Sequence, residues 1–74
     1  MKKQLVVDLD DKPKNFDEFI QCIERYLIKN GHEYEFLVKD KPAIILIDKK
    51  KHECSLIRLP HLMGMSWFLS FTEL

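Results

Sequence analysis

"NFDEFIQCIERYLIKNG", residues 15–31, is the stretch whose apolar residues recur at helical spacing. Phe16, Phe19, Ile20, Ile23, Tyr26 and Leu27 form one stripe, the pattern of a helix with a single buried face. Asn15 stands three residues before Glu18, a capping-box spacing with Asn in place of Ser or Thr. Asn30-Gly31 closes the helix, because glycine tolerates the left-handed conformation that follows a last turn. Ile28 falls off the stripe.

Everything around this helix alternates with a period of two. Leu5, Val7 and Leu9 interleave with Val6 and Asp8, and the strand stops at Asp10-Asp11-Lys12-Pro13. Tyr34, Phe36 and Val38 alternate with Glu33 and Glu35 before a turn at Lys39-Asp40-Lys41-Pro42. Residues 43–47 are apolar on both faces, as in a central strand. A hairpin turn is expected over residues 48–51, a return strand over residues 52–59 and a loop over residues 60–64. Met65, Trp67, Leu69 and Phe71 then alternate with Ser66, Phe68, Ser70 and Thr72. The order is β-α-β-β-β-β: an α+β fold with a single helix on a mainly antiparallel sheet of about five strands.

Chain direction orders the sheet. Short loops join antiparallel neighbours, so the last four strands form a meander. The helix returns the chain to the bottom of the second strand, leaving the first strand antiparallel to the fifth and able to pair with it. The expected order is 2-3-4-5-1, with 1-2-3-4-5 and a right-handed crossover as the alternative. A helix is ~10 Å wide, whereas five strands at ~4.8 Å spacing make a sheet about twice that. One helix therefore covers one face at most. With Leu5, Val7, Tyr34, Phe36, Cys54, Leu56, Trp67 and Leu69 toward the helix, the other face carries Leu37, Ile57, Leu59, Phe68 and one pair from the third strand. A one-residue bulge would instead turn Ile57 and Leu59 inward.

Length and composition bound the rest. The 74 residues make one small domain, 46% hydrophobic and 32% charged, far from a disordered composition. Twelve basic side chains balance twelve acidic ones, so no overall field draws in nucleic acid or anionic membrane. The apolar run after Met1-Lys2-Lys3 stops at Asp8, short of the roughly 7–15 residues of a signal-peptide core. No stretch approaches the ~20 apolar residues of a membrane span. Cys22 and Cys54 do not make a disulfide framework, and reduced thiols in the cytoplasm are expected.

Candidate chemistry is sparse. Asp8-Leu9-Asp10 after an apolar run is similar to the nucleophile strand of haloacid-dehalogenase-type phosphatases, but Lys12 stands where that motif has Thr. A chain with one helix also lacks the later strands that supply the remaining catalytic groups, so strand-ending acids in a turn are the expectation. A weak cation site at Asp8, Asp10 and Asp11 would be uncaged. Cys22, His32, His52, Cys54 and His61 lack the paired Cys-x₂₋₄-Cys spacing of structural zinc, and His32 and His61 fall at opposite ends of the expected topology. Neither glycine sits in a phosphate loop, and no nucleophile-base-orienter set emerges. No catalytic residue, cofactor, metal or small-molecule substrate is expected.

Two surfaces remain. Lys49, Lys50 and Lys51 with His52 are the strongest charge run, and with Trp67 and Phe68 as stacking groups they raise RNA or single-stranded nucleic acid as a partner. The uncovered apolar residues Leu37, Ile57, Leu59 and Phe68 raise a protein partner or a second copy, and this is the leading expectation. "DLDDKPK", "IERYLIKNG" and "EFLVKDKPAIILIDKKKHEC" resemble a family of short bacterial domains of unknown function. The likeness spans residues 5–54, whereas residues 60–74 depart from it. The resemblance implies a bacterial, cytoplasmic setting and supplies no site residues.

Overall fold

The helix α1 (Phe16–Lys29) forms where its stripe predicts, and both ends are chemically closed. At the N-terminus, the Glu18 amide donates to Asn15 Oδ1 at 2.9 Å, and Glu18 Oε2 accepts from the Lys14 amide at 3.3 Å. The pair departs from the usual capping box in one half: the Asn15 side chain accepts from the third helical amide, while the Glu18 carboxylate takes the amide one residue before the cap rather than that of the cap itself. At the C-terminus, the Gly31 amide bonds the Ile28 carbonyl and the His32 amide bonds the Leu27 carbonyl. This is the Schellman arrangement, and it requires the positive φ of 72° that Gly31 adopts.

A computed structural model of the chain describes residues 3–62 and 64–74, the side chain of His61 excepted. Met1 and Lys2, which opened the signal-peptide reading, lie outside those residues. The described strands are β1 (Gln4–Leu9), β2 (Tyr34–Val38), β3 (Ala43–Ile47), β4 (Lys50–His61) and β5 (Gly64–Glu73). They form one five-stranded sheet in the order β1-β5-β4-β3-β2, the order expected from chain direction, with every pairing antiparallel.

Three local expectations are corrected. The turn expected over residues 48–51 has only two residues, Asp48 and Lys49, both at positive φ (49° and 70°), and Lys50 already pairs with Ile47. Two positive φ values in a two-residue loop match the right-handed twist of the flanking strands. The loop expected over residues 60–64 is mostly strand, since β4 pairs with β5 without interruption from His52↔Glu73 to His61↔Gly64. Pro60 is tolerated there for a specific reason. The Leu74 amide donates to the Lys51 carbonyl, so the odd-numbered residues of β4 bond toward β5 and the even-numbered ones toward β3. Pro60 therefore faces the β3 side, where β3 has already ended opposite Cys54, and its missing N–H breaks no ladder bond. Finally, the bulge lies in β2, between Phe36 and Val38, and leaves Ile57 and Leu59 in regular register.

The core is the space between α1 and one sheet face. Phe19, Ile20, Ile23 and Leu27 pack on Ala43, Ile45, Ile47, Cys54, Leu69 and Phe71, all buried. Val7, Leu9, Tyr34, Phe36 and Leu56 close its margins. The Tyr34 hydroxyl donates to Glu24 Oε2 at 3.0 Å, tying β2 to the helix, and the adjoining carboxylate holds the phenol above its ordinary pKa. Leu5 shares this face by register but lies beyond the helix and remains 47% exposed.

Candidate interaction surfaces

The open face follows from the register, because directly opposed residues point to the same side of a sheet. Asp8, Phe68 and Ile57 form one row across β1, β5 and β4, and Val6, Ser70 and Ser55 form the next. Gln4, Thr72, Glu53, Ile44 and Val38 make a third row across all five strands, and Lys51, Leu46 and Glu35 a fourth. Leu59 lies opposite Ser66 above them. The face thus holds two apolar clusters separated by a hydroxyl-rich band. One contains Val6, Ile57, Leu59 and Phe68, and the other Ile44, Leu46 and Val38. Gln4 Nε2 donates to Ser70 Oγ at 2.9 Å within the band, which satisfies the buried serine hydroxyl.

Of the four candidate contact residues, Ile57, Leu59 and Phe68 are brought together and Leu37 is not. Leu37 sits at the β2 bulge, where Val38 rather than Leu37 opposes Ile44. Val6 belongs to the first cluster and was missed, because β1 reads as polar on its outward side through Asp8. The first cluster also lies at the base of a projection. β4 and β5 outrun β3 beyond Cys54 and β1 beyond Trp67, and from there they form a two-stranded arm that carries exposed Leu59, Leu62 and Met65.

The lysine run is divided by strand alternation. Lys49 is in the turn, Lys50 lines a cleft on the helix side, and Lys51 opposes Leu46 on the open face. The two aromatics proposed as a stacking platform are also separated. Phe68 is on the open face, whereas Trp67 is on the helix side, opposite Leu9 and Arg58. Its ring carries the Lys12 ammonium at 4.9 Å and the Arg58 guanidinium at 5.7 Å. Lys12, the residue that departs from the phosphatase motif, thereby fastens the turn after β1 to β5.

That cleft, about 510 Å³, opens at the base of the domain where the C-terminal end of α1 meets the β3–β4 turn. Leu27, Ile47 and Phe71 floor it, and His32, Asp48, His52 and Glu73 stand around it. Tyr26 stacks between Phe71, at 5.6 Å, and His32, at 6.4 Å. His32 Nδ1 lies 2.6 Å from Asp48 Oδ2, and the Glu33 amide donates to Asp48 Oδ1 at 3.1 Å. These two hydrogen bonds, the histidine's first, hold the Asp48 carboxyl below its ordinary pKa. His52 Nδ1 is 2.8 Å from the Lys50 carbonyl. No spacing in the sequence signals this cleft, since five elements assemble it.

The five metal-ligand candidates are dispersed. Cys54 is fully buried beneath the helix, which pushes its thiol up to about 12. Half-buried Cys22 lies beside Arg25, and both thiols are free. His32 and His52 share the basal cleft, while the side chain of His61 lies outside the described residues. Among the described residues, no group of three or more His, Cys, Asp or Glu is placed to hold a metal ion. Asp8 is exposed on β1 and Asp10 and Asp11 follow in the bend, lining a second groove between β1 and α1.

These features define a class: a small α+β domain with one sheet face closed by a helix and the other open. Among the described residues, no helix is long and apolar enough to cross a membrane. Comparison with protein-family models, curated proteins and solved structures finds no match to this chain.

Proposed function

We propose that this chain is a non-enzymatic protein-contact module whose open sheet face packs against a second copy of itself. One observation carries the reading: Val6, Ile57, Leu59 and Phe68 cluster on a face that α1 does not cover, on and beside a projecting arm. Strands of five to twelve residues, at ~3.4 Å rise and ~4.8 Å spacing, present a face of roughly 600 Å², so stacking two copies buries about 1,200 Å². That lies at the lower end of the ~1,200–2,000 Å² of stable specific interfaces, so the contact is weak and concentration-dependent. Free thiols support a reducing, cytoplasmic setting for the module.

Sedimentation velocity across a wide concentration range tests this. The wild type is expected to shift from monomer toward larger species as concentration rises, and Phe68→Glu, which places a charge in the cluster, to associate measurably less with an unchanged far-ultraviolet spectrum. A wild type that stays strictly monomeric at the highest concentration overturns the reading. The nucleic-acid alternative has less support, because Lys49, Lys50 and Lys51 do not share a face and Trp67 and Phe68 lie on opposite ones.

A further inference from the structure

The two edges of the sheet are built differently. β2 has five residues, a bulge and Glu35 within it, features that discourage further strand pairing. β1 has six residues in unbroken register with β5, no proline, and Leu5 and Val6 at 47% and 41% exposure. Its backbone is also poised for a partner. The Glu73 amide donates to the Lys3 carbonyl, so Lys3, Leu5, Val7 and Leu9 direct their backbone groups toward β5. By the alternation of antiparallel ladders, Gln4, Val6 and Asp8 turn theirs to the free edge.

We propose that β1 pairs antiparallel with β1 of a second copy about a two-fold axis through Val6, joining two sheets into one. This register engages the outward N–H and C=O groups of Gln4, Val6 and Asp8 in both copies. It sets Val6 against Val6 and Leu5 against Val7, and the Gln4 amide faces the Asp8 carboxylate, a donor facing an acceptor. Moving the axis to Leu5 or Val7 leaves one outward residue of each β1 without its partner in the other and separates the amide from the carboxylate. The strand is therefore self-complementary in sequence and in backbone direction at the same register. The contact uses the edge, not the face, and does not depend on face stacking. It would bring both open faces onto one side of the joined sheet.

The test is a disulfide at the axis. Opposed residues at a hydrogen-bonded antiparallel pair have Cα atoms ~5.5 Å apart, inside the ~4.4–6.8 Å range of disulfides. In the chain carrying Cys22→Ser, Val6→Cys should give a covalent dimer on mild oxidation, and Val7→Cys, which meets Leu5, should remain monomeric. Adding Phe68→Glu should leave the Val6→Cys dimer intact. Separately, in a chain carrying Phe68→Glu, where face stacking is removed, Asp8→Arg should abolish the remaining noncovalent dimer in sedimentation, and adding Gln4→Glu should restore it by placing opposite charges in register. Absence of the Val6→Cys dimer in a chain folded by circular dichroism overturns the proposal. So does loss of that dimer with Phe68→Glu, which would assign the contact to the face, and so does failure of Gln4→Glu to rescue Asp8→Arg.

Discussion

On β3, Ala43, Ile45 and Ile47 are buried beneath α1, while Ile44 and Leu46, one residue along, stay half-buried on the other side. The same contrast runs through the sheet. Cys54 and Leu69 are fully enclosed, and Ile57 and Phe68, paired on one row of the opposite face, are not. Similar apolar chemistry thus meets two fates, decided by whether the helix lies overhead. Burial stabilises by roughly 25 cal/mol per Å² of apolar surface, so the closed face supplies most of the fold's stability and the open face holds its unspent capacity. Conservation of the fold and conservation of contact should therefore separate by face.

The largest effect that breaks this comparison is expected in the closed face. Phe19→Ala removes a side chain that is 1% exposed and touches both Phe16 and the sheet core. A loss of about 3–5 kcal/mol is expected in urea unfolding, comparable to the whole stability of a domain this small. Ile57→Ala on the open face should cost less than about 1.5 kcal/mol at concentrations where the chain is monomeric, since its neighbours cover it only in part. Equal losses would show that the open face is as tightly packed as the closed one.

A second effect sharpens the comparison at the base of the domain, where Asp48 joins the β3–β4 turn to the segment after α1. Because its pKa is depressed in the folded state, its contribution is present above the ordinary carboxylate value and is lost as pH falls through the folded one. The window is therefore below about pH 4. Wild type should lose more thermal stability between neutral pH and about pH 2.5 than Asp48→Asn does. A difference appearing only between pH 6 and 8 would contradict this assignment.

How much of this was legible depends on the range of each signal. The helix, its caps and the strand order could all be read, because capping and periodicity are local and short loops enforce antiparallel neighbours. The arm could not. Pro60 and Gly64 read as loop, and only the early end of β3 makes a proline harmless on that side of β4. The β2 bulge has no glycine to mark it, and it places Val38 rather than Leu37 opposite Ile44. Lys12 reads as a turn residue, yet it lies over Trp67, 55 residues away in sequence, a pairing that no local pattern encodes. The basal cleft is likewise a product of tertiary assembly.

A smaller effect concerns thiols on the two sides of the helix. Cys54 is enclosed and its thiol is held up at about 12, whereas Cys22 faces the groove beside β1. A thiol-specific reagent at neutral pH should label Cys22 in the native chain and Cys54 only after denaturation. Simultaneous native labelling of both would mean that the closed face opens readily.

The smallest effect is expected at Asp8, the residue whose neighbourhood most resembles a catalytic strand. It is exposed on the edge strand, opposite Phe68, and no hydrogen bond of its carboxylate is seen among the described residues. Its sequence partner Asp10 lies in the bend, and Lys12 is engaged on the Trp67 ring rather than directed toward either acid. Asp8→Asn should change unfolding free energy by less than about 1 kcal/mol, the usual result for a surface group without buried partners. Wild type should not hydrolyse an activated aryl phosphate in the presence of magnesium above the no-enzyme rate. Turnover that disappears in Asp8→Asn would establish a catalytic carboxylate. A large stability loss without turnover would instead mean that the charge organises the end of β1, and the contrast between the faces would have to include the edge.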